Sequence, residues 1–189
     1  MRVAHVVPVF PPYRSGTGNV AFHQARCLAA AGVDVTIFTT RTAANPVAPP
    51  GVPVVTLKPL LAKGNAACLP QVLWRTASYD IVHVHYPCFG TAEMLALKRL
   101  LVQPRLVLQY QFDVVGQDFS AHLFRWHRRL ILPIVLHGTD AIIVTSMDYV
   151  ASSFLCASLS RLRERLAVIP AGVDLAHFSP GTGGGLAES

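Results

Sequence analysis

No two of the four cysteines, Cys27, Cys68, Cys88 and Cys156, form a C-x-x-C pair. Their spacing offers neither a zinc site nor a disulfide framework, so four reduced thiols packed as small apolar groups are expected. No apolar run reaches the roughly 18 residues that a bilayer-spanning helix needs. The apolar start, Met1–Pro8, is too short for a signal peptide and reads as a first strand, so a cytoplasmic protein is expected. No repeat recurs at the periods of solenoids. Acidic residues are few, 10 against 16 lysines and arginines, and the formal net charge is +6. That balance suits nucleic acid, anionic lipid or a phosphorylated ligand, and overall charge does not choose among them.

What the chain does have is apolar material: 52% of its 189 residues are hydrophobic and only 14% charged. A large core in a single domain over residues 1–180 follows, with the glycine-rich stretch 181–189 as a flexible tail or the start of a linker. Strands are expected at Arg2–Val7, Val33–Thr39, Val54–Leu57, Asp80–His85, Arg105–Tyr110, Ala141–Thr145 and Leu166–Ile169. Helices are expected at Asn19–Ala31, with Gly32 as its C-cap, and at Asn65–Ala77, Thr91–Leu101, Phe119–Leu132 and Asp148–Ser158. Pro133 should kink or end the fourth of these. Thr42–Pro53, with its four prolines, reads as loop. Strands apolar on both faces and separated by helices make a parallel sheet covered on both sides, an α/β doubly wound, Rossmann-like domain. Such sheets bind ligands beyond the C-terminal ends of their strands. The segments to inspect are therefore Pro8–Gly18, His85–Gly90, Gln111–Gly116 and Ser146.

The first of these carries Gly16-Thr17-Gly18 into a helix. Free N–H groups and the positive dipole end at a helix start suit a phosphate or a charged sugar group. A plain turn is the competing reading. Gly16 to Ala21 also fits G-x-G-x-x-A, the dinucleotide fingerprint. Against that use, eight residues separate the strand from the glycines, and Phe38-Thr39-Thr40-Arg41 lacks the acidic residue expected after the second strand. Arg41 could serve a 2′-phosphate, which keeps an NADP-binding oxidoreductase as an alternative. His83 and His85 share one strand face. With no third ligand in view, no metal is expected. His83 reads as a core histidine, and His85 or Tyr86 as a residue lining the cleft. Asp113 either orients a sugar hydroxyl, accepts a proton or caps a turn. His122, Arg125 and Arg129 fall on one stripe of a helix that also carries Arg128. Leu123, Trp126 and Leu130 fall on another, a pattern suited to anionic headgroups or to a solvated face with a buried Trp. Arg161, Arg163 and Arg165 form a second basic cluster without interleaved aromatics, so no nucleic-acid partner is expected.

Taken together, the chain resembles the N-terminal half of the glycosyltransferase 4-like enzymes, which have the GT-B fold. The strand, proline-rich loop and Gly16-Thr17-Gly18 opening a helix come first. Leu28-Ala29-Ala30-Ala31-Gly32-Val33-Asp34-Val35-Thr36 is similar to the family's "LA…L…GH-x-V", with Val33 and Asp34 where His is usual. Tyr79-Asp80-Ile81-Val82-His83-Val84-His85 is similar to "DVVHVH", and Thr139 to Ser146 to "ADAIIAxS". Val168-Ile169-Pro170-Ala171-Gly172-Val173-Asp174, then Phe178 and Pro180, is similar to "VIPNGVD…F-x-P".

The resemblance implies a retaining, metal-independent transferase that moves a sugar from a nucleotide-sugar donor to a lipid-linked or saccharide acceptor. It needs no cofactor beyond that co-substrate. Gly16, Thr17 and Gly18 would meet the donor diphosphate. His85, Tyr86 and Ser146 would meet the acceptor or sugar, and Gln111 and Asp113 would stand at the reaction centre. Arg125, Arg128 and Arg129 would face an anionic membrane, placing the protein peripherally on its inner face. Two departures stand out. Gln111 occupies the position where "T-x-H-x-D" has its His, and a glutamine exchanges no proton near neutral pH. The chain also stops where a linker to the donor-binding half would begin, so that half is expected to be absent and the domain inactive alone. A stand-alone sugar- or membrane-binding module is the other alternative.

Overall fold

The computed structural model describes residues 1–13, 15–40, 45–63, 66–99, 104–116 and 118–172. Arg41, the segment Val173–Pro180 and the tail 181–189 lie outside them. Seven parallel strands form one sheet: β1 (Arg2–Val6), β2 (Asp34–Thr40), β3 (Val54–Leu57), β6 (Ile81–Tyr86), β7 (Arg105–Tyr110), β8 (Ala141–Val144) and β9 (Leu166–Val168). Their order is β3-β2-β1-β6-β7-β8-β9. The chain winds outward from β1 in one direction and from β6 in the other. A crevice therefore opens at the carboxyl ends of these central strands, as the doubly wound topology requires.

One sheet face carries Ala4, Val6, Val82, Val84, Leu106, Leu108, Ile142 and Val144. It packs under α3 (Thr91–Arg99) and α5 (Leu132–His137) through Leu95, Ala96, Val135 and Leu136. On the other face, Val35 and Ile37 pack under α1 (Gly16–Ala30) through Ala21 and Ala25. Helix α1 ends where the sequence signals it. Gly32 has φ +81°, Gly32 N–H donates to Ala29 O and Val33 N–H to Leu28 O, both at 3.0 Å. This paired bonding satisfies carbonyls the helix leaves open. Asp140 locks the start of β8. It accepts from Arg99 Nε at 2.7 Å, Arg99 Nη2 at 2.6 Å and the Leu106 N–H at 2.8 Å. The Arg99 guanidinium, with the Leu106 amide assisting, holds its carboxyl below the usual range.

Three segments differ from the sequence reading. In place of a helix over Asn65–Ala77 there is an antiparallel hairpin, β4 (Leu61–Lys63) with β5 (Ala66–Cys68), then one helical turn, α2 (Val72–Arg75). Gly64-Asn65 is a two-residue hairpin signal, and Pro70 cannot sit inside a helix. Pro133 does not stop its helix. α4 (Asp118–Trp126) passes through a π turn at His127–Ile131 into α5, and the wider turn takes up the missing proline N–H. The helix expected to run to Ser158 breaks after α6 (Met147–Ser152), leaving a 3-10 turn at Cys156–Ser158 and one further helical turn, α7 (Leu159–Leu162). Cys88 is buried, but Cys27 and Cys156 are exposed, so not all four thiols serve as packing.

Candidate functional site

A cleft of about 400 Å³ opens at the strand tips, within the range of roughly 300–1,000 Å³ usual for small-molecule sites. The start of α1 contributes Ser15, Gly16, Thr17, Val20 and Gln24, with Tyr13 from the loop before it. The end of β7 contributes Gln109, Gln111 and Phe112, and the segments after β8 and β9 add Thr145, Ile169 and Ala171. None of these side chains is charged. Amides, hydroxyls, two aromatics, three aliphatic side chains and the open N-terminus of a 15-residue helix make up the wall. Ser15 stands at the N-cap without a side-chain hydrogen bond, and no acidic residue sits in the first turn. The first N–H groups of α1 thus keep their full capacity for an anion.

The structure brings Gly16, Thr17 and Gln111 together on this cleft and puts the other candidates elsewhere. Gly18 is buried against its own loop. A Cβ there would lie 2.8 Å from Val9 O and 3.2 Å from Phe10 Cα, so this glycine permits close packing of chain on chain rather than approach of a ligand. Tyr86 lies on the opposite sheet face, stacked on Tyr110 at 5.3 Å between ring centres. Burial, followed by the charges of Glu93 and Asp113, drives its hydroxyl pKa far up. Alternation along β6 separates His85 and Tyr86, so they could never share a wall. Asp113 also turns away: one oxygen accepts from Tyr110 Oη at 2.5 Å and the other from the Phe154 N–H at 3.0 Å. Neither contact caps the turn that follows Asp113; both oxygens tie the end of β7 to the segment after α6. Ser146 caps α6, accepting from the Tyr149 N–H at 3.1 Å.

His85 sits beneath the cleft floor. It is fully buried, with Nδ1 3.1 Å from Gln111 Nε2 and Nε2 2.9 Å from His5 Nδ1. His83 pairs with Gln109, and Gln109 Oε1 accepts from Gln24 Nε2 at 3.1 Å. Burial lowers all three imidazole pKa values. His83 falls to about 4, and neighbouring imidazoles push His5 and His85 down further. All three rings are therefore neutral at pH 7. His5 is the third histidine, which no feature of the sequence placed beside the other two. It emerges only because β1 lies beside β6 with His5 opposite His83. Gln24 and Gln109 were also missed, although Gln109 shares a strand face with Gln111 by simple alternation.

Away from the cleft, α4 and the π turn expose Leu123 (58%), Trp126 (54%), Leu130 (49%) and, in α5, Ile134 (41%). The spacing of these four makes one continuous apolar stripe. Arg125, Arg128 and Arg129 are exposed beside it. Arg128 lies over the Phe154 ring at 4.3 Å. The bland reading of this helix needed a buried Trp, and Trp126 is not buried. No described helix is long and apolar enough to cross a membrane.

Residues 14–177 match Glycosyltransferase Family 4. No curated protein matches the chain in sequence. Among solved structures, the catalytic domain of starch synthase IV from Arabidopsis thaliana, bound to ADP and acarbose, superposes with a TM-score of 0.67 at 14% identity, over 93% of this chain and 52% of that one. An alpha-glucosyltransferase in complex with UDP and a 13-mer DNA containing a HMU base does so with a TM-score of 0.56 at 13% identity, over 94% of this chain and 44% of that one. The fold is shared at this level, a Rossmann-like half of the GT-B architecture. The chain spans about half the length of these neighbours.

Proposed function

Because the chain belongs to Glycosyltransferase Family 4, we propose that it is the acceptor-side half of a glycosyltransferase that takes sugar from a nucleotide-sugar donor. The observation that carries this reading is a cleft whose described lining side chains are uncharged. Hydroxyl and amide groups suit sugar hydroxyls, and the open start of α1 suits a diphosphate. The neighbours described above hold UDP or ADP, which accords with such a donor. Among the described lining residues no side chain can exchange a proton near neutral pH except through substrate. Transition-state stabilisation must then come from fixed donors and from a second domain closing over the cleft.

In this assignment the N–H groups of Gly16 and Thr17 and the Thr17 hydroxyl meet the donor diphosphate. Gln111 hydrogen-bonds the transferring sugar or the acceptor hydroxyl, held in place by His85. The retaining, metal-independent course and the lipid-linked or saccharide acceptor follow from the family resemblance alone. The test is sugar transfer by the complete two-domain protein. Gln111→Ala should lower kcat/KM by about 10- to 100-fold, the loss of one or two well-placed hydrogen bonds, with the fold intact by circular dichroism. An unchanged kcat/KM removes Gln111 from the site.

We place the enzyme at an anionic membrane surface through the stripe Leu123–Trp126–Leu130–Ile134 and its flanking arginines. Apolar side chains enter the acyl boundary while guanidinium groups meet phosphates. Binding to phosphatidylglycerol-containing vesicles should be salt-sensitive. Each basic residue near such a surface contributes roughly 1 kcal/mol, so reversing Arg125 and Arg129 to Glu should weaken sedimentation with the vesicles tenfold or more. Equal binding to neutral phosphatidylcholine vesicles would contradict the electrostatic part.

A further inference from the structure

We propose that His5, His83 and His85 form a binding site for one divalent transition-metal ion of the zinc class, built into the sheet directly beneath the cleft. One ring nitrogen from each of the three lies within 4.8 Å of the others. All three side chains are buried. They stand on adjacent, hydrogen-bonded strands whose register sets His5 opposite His83, so the backbone already holds the set together.

The nitrogens left over are what point to an ion. His5 Nε2 and His83 Nε2 are buried without a hydrogen-bond partner. An unpaired buried polar atom costs about 1–3 kcal/mol, and two in one cluster are rare in a described core. An ion bound by the His83 Nε2 lone pair removes that cost there, while His5, which faces His85 through Nδ1, keeps its Nε2 as an N–H. Imidazole nitrogens select zinc, cobalt, nickel or copper, whereas magnesium and calcium require oxygen ligands. Two nitrogens on one tetrahedral ion lie roughly 3.3 Å apart. The 2.9 Å between His5 Nδ1 and His85 Nε2 is close to that, so small ring adjustments suffice there.

The outer shell is also present. Ligating histidines usually engage a second group through the rest of the ring or its surroundings. His85 has Gln111 at 3.1 Å, and His83 has Gln109, itself held by Gln24 at 3.1 Å. Gln109 and Gln111 both line the cleft, which gives an ion a route in. With His85 Nε2 on the ion, its Nδ1 carries the proton and Gln111 must present Oε1 to it. The amide NH2 of Gln111 then points toward the cleft as a donor. This consequence rests on the cleft reading; the ion site itself does not.

The experiment starts from the whole chain stripped with EDTA and dialysed. Cobalt(II) or zinc(II) is then added to one equivalent. Expected are intense visible d–d bands of a low-coordinate cobalt centre and a rise of several degrees in Tm, as mass action requires for a ligand of the folded state. Proton NMR of the cobalt form should show strongly shifted imidazole N–H signals from three histidines. His5→Gln and His83→Gln should each weaken cobalt binding at least tenfold, while the exposed His23→Gln leaves it unchanged. The NMR signals decide the matter even if the buried variants fail to fold. Weak aqueous-type cobalt bands, an unmoved Tm and no shifted histidine signals would overturn the proposal and leave a trapped water as the partner of the orphaned nitrogens. Binding that survives in both folded variants would overturn it too. Neither result would bear on sugar transfer.

Discussion

Between about pH 6.5 and pH 4, the metal-free domain is expected to lose stability steeply and to unfold before most proteins of its size. The cause is the buried histidine trio. In the unfolded chain each titrates near 6.5. In the fold each is held well below that, His83 to about 4, chiefly by desolvation. Across this window the unfolded chain therefore carries more protons than the folded one. A depressed folded pKa means that stability is complete above the unfolded value and drains away as pH falls. The limiting slope is about 1.4 kcal/mol per pH unit for each histidine, and all three act in the same direction. A whole domain has only about 5–15 kcal/mol to lose. Their described partners, Gln109, Gln111 and one another, offer no negative charge to offset protonation. Urea unfolding followed by circular dichroism at half-unit pH steps measures the slope. His83→Gln should flatten it by about a third. A level profile from pH 7 to pH 5 would show that the trio is solvated.

Gly16 and Gly18, two residues apart in the same helical turn, are expected to respond in opposite ways to a side chain. At Gly18 a Cβ would meet the backbone oxygen of Val9 at 2.8 Å, and that backbone has nowhere easy to go. Overpacking of this kind costs about 1–3 kcal/mol. It exceeds the gain from replacing glycine in a helix, at most about 1 kcal/mol and smaller in the first turn. Gly18→Ala should therefore lower Tm by a few degrees. At Gly16 a Cβ meets nothing within 4 Å, and the residue is exposed on the cleft wall. Gly16→Trp should leave Tm within about a degree, since surface changes of this kind stay near ±0.5 kcal/mol, while its indole fills the cleft. Stability and ligand access are thus separated between two positions of one helical turn. Thermal melts of both variants check the first half. Equal Tm losses in the two would contradict the loop packing.

The sheet was legible because β-branched runs ended by glycine, proline or aspartate leave little choice of element, and strands joined by helices leave little choice of topology. The hairpin at Leu61–Cys68 was not, because its short apolar strands also satisfy a helical pattern. The cleft was half legible. Gln111 and the start of α1 lie beyond strand ends, where the doubly wound rule directs attention. Tyr86 was misassigned although alternation already separates it from His85. Asp113 lies past the end of β7, where alternation no longer says which way a side chain turns. One partner, the Tyr110 hydroxyl, is local, but the other, the Phe154 amide, lies 41 residues further along the chain and only folding brings it near. His5 shows the same limit. A strand carrying two histidines on one face was plain, but the third belongs to a neighbour known only from strand order.

The central claim is that the cleft at the start of α1 is where the nucleotide-sugar donor and the acceptor meet. Sugar transfer by the complete two-domain protein carrying Gly16→Trp tests it most directly, with Tm taken alongside. We expect kcat/KM to fall by at least about 100-fold while Tm stays at the wild-type value. Wild-type rates of transfer through an indole-filled cleft would mean that donor and acceptor meet elsewhere.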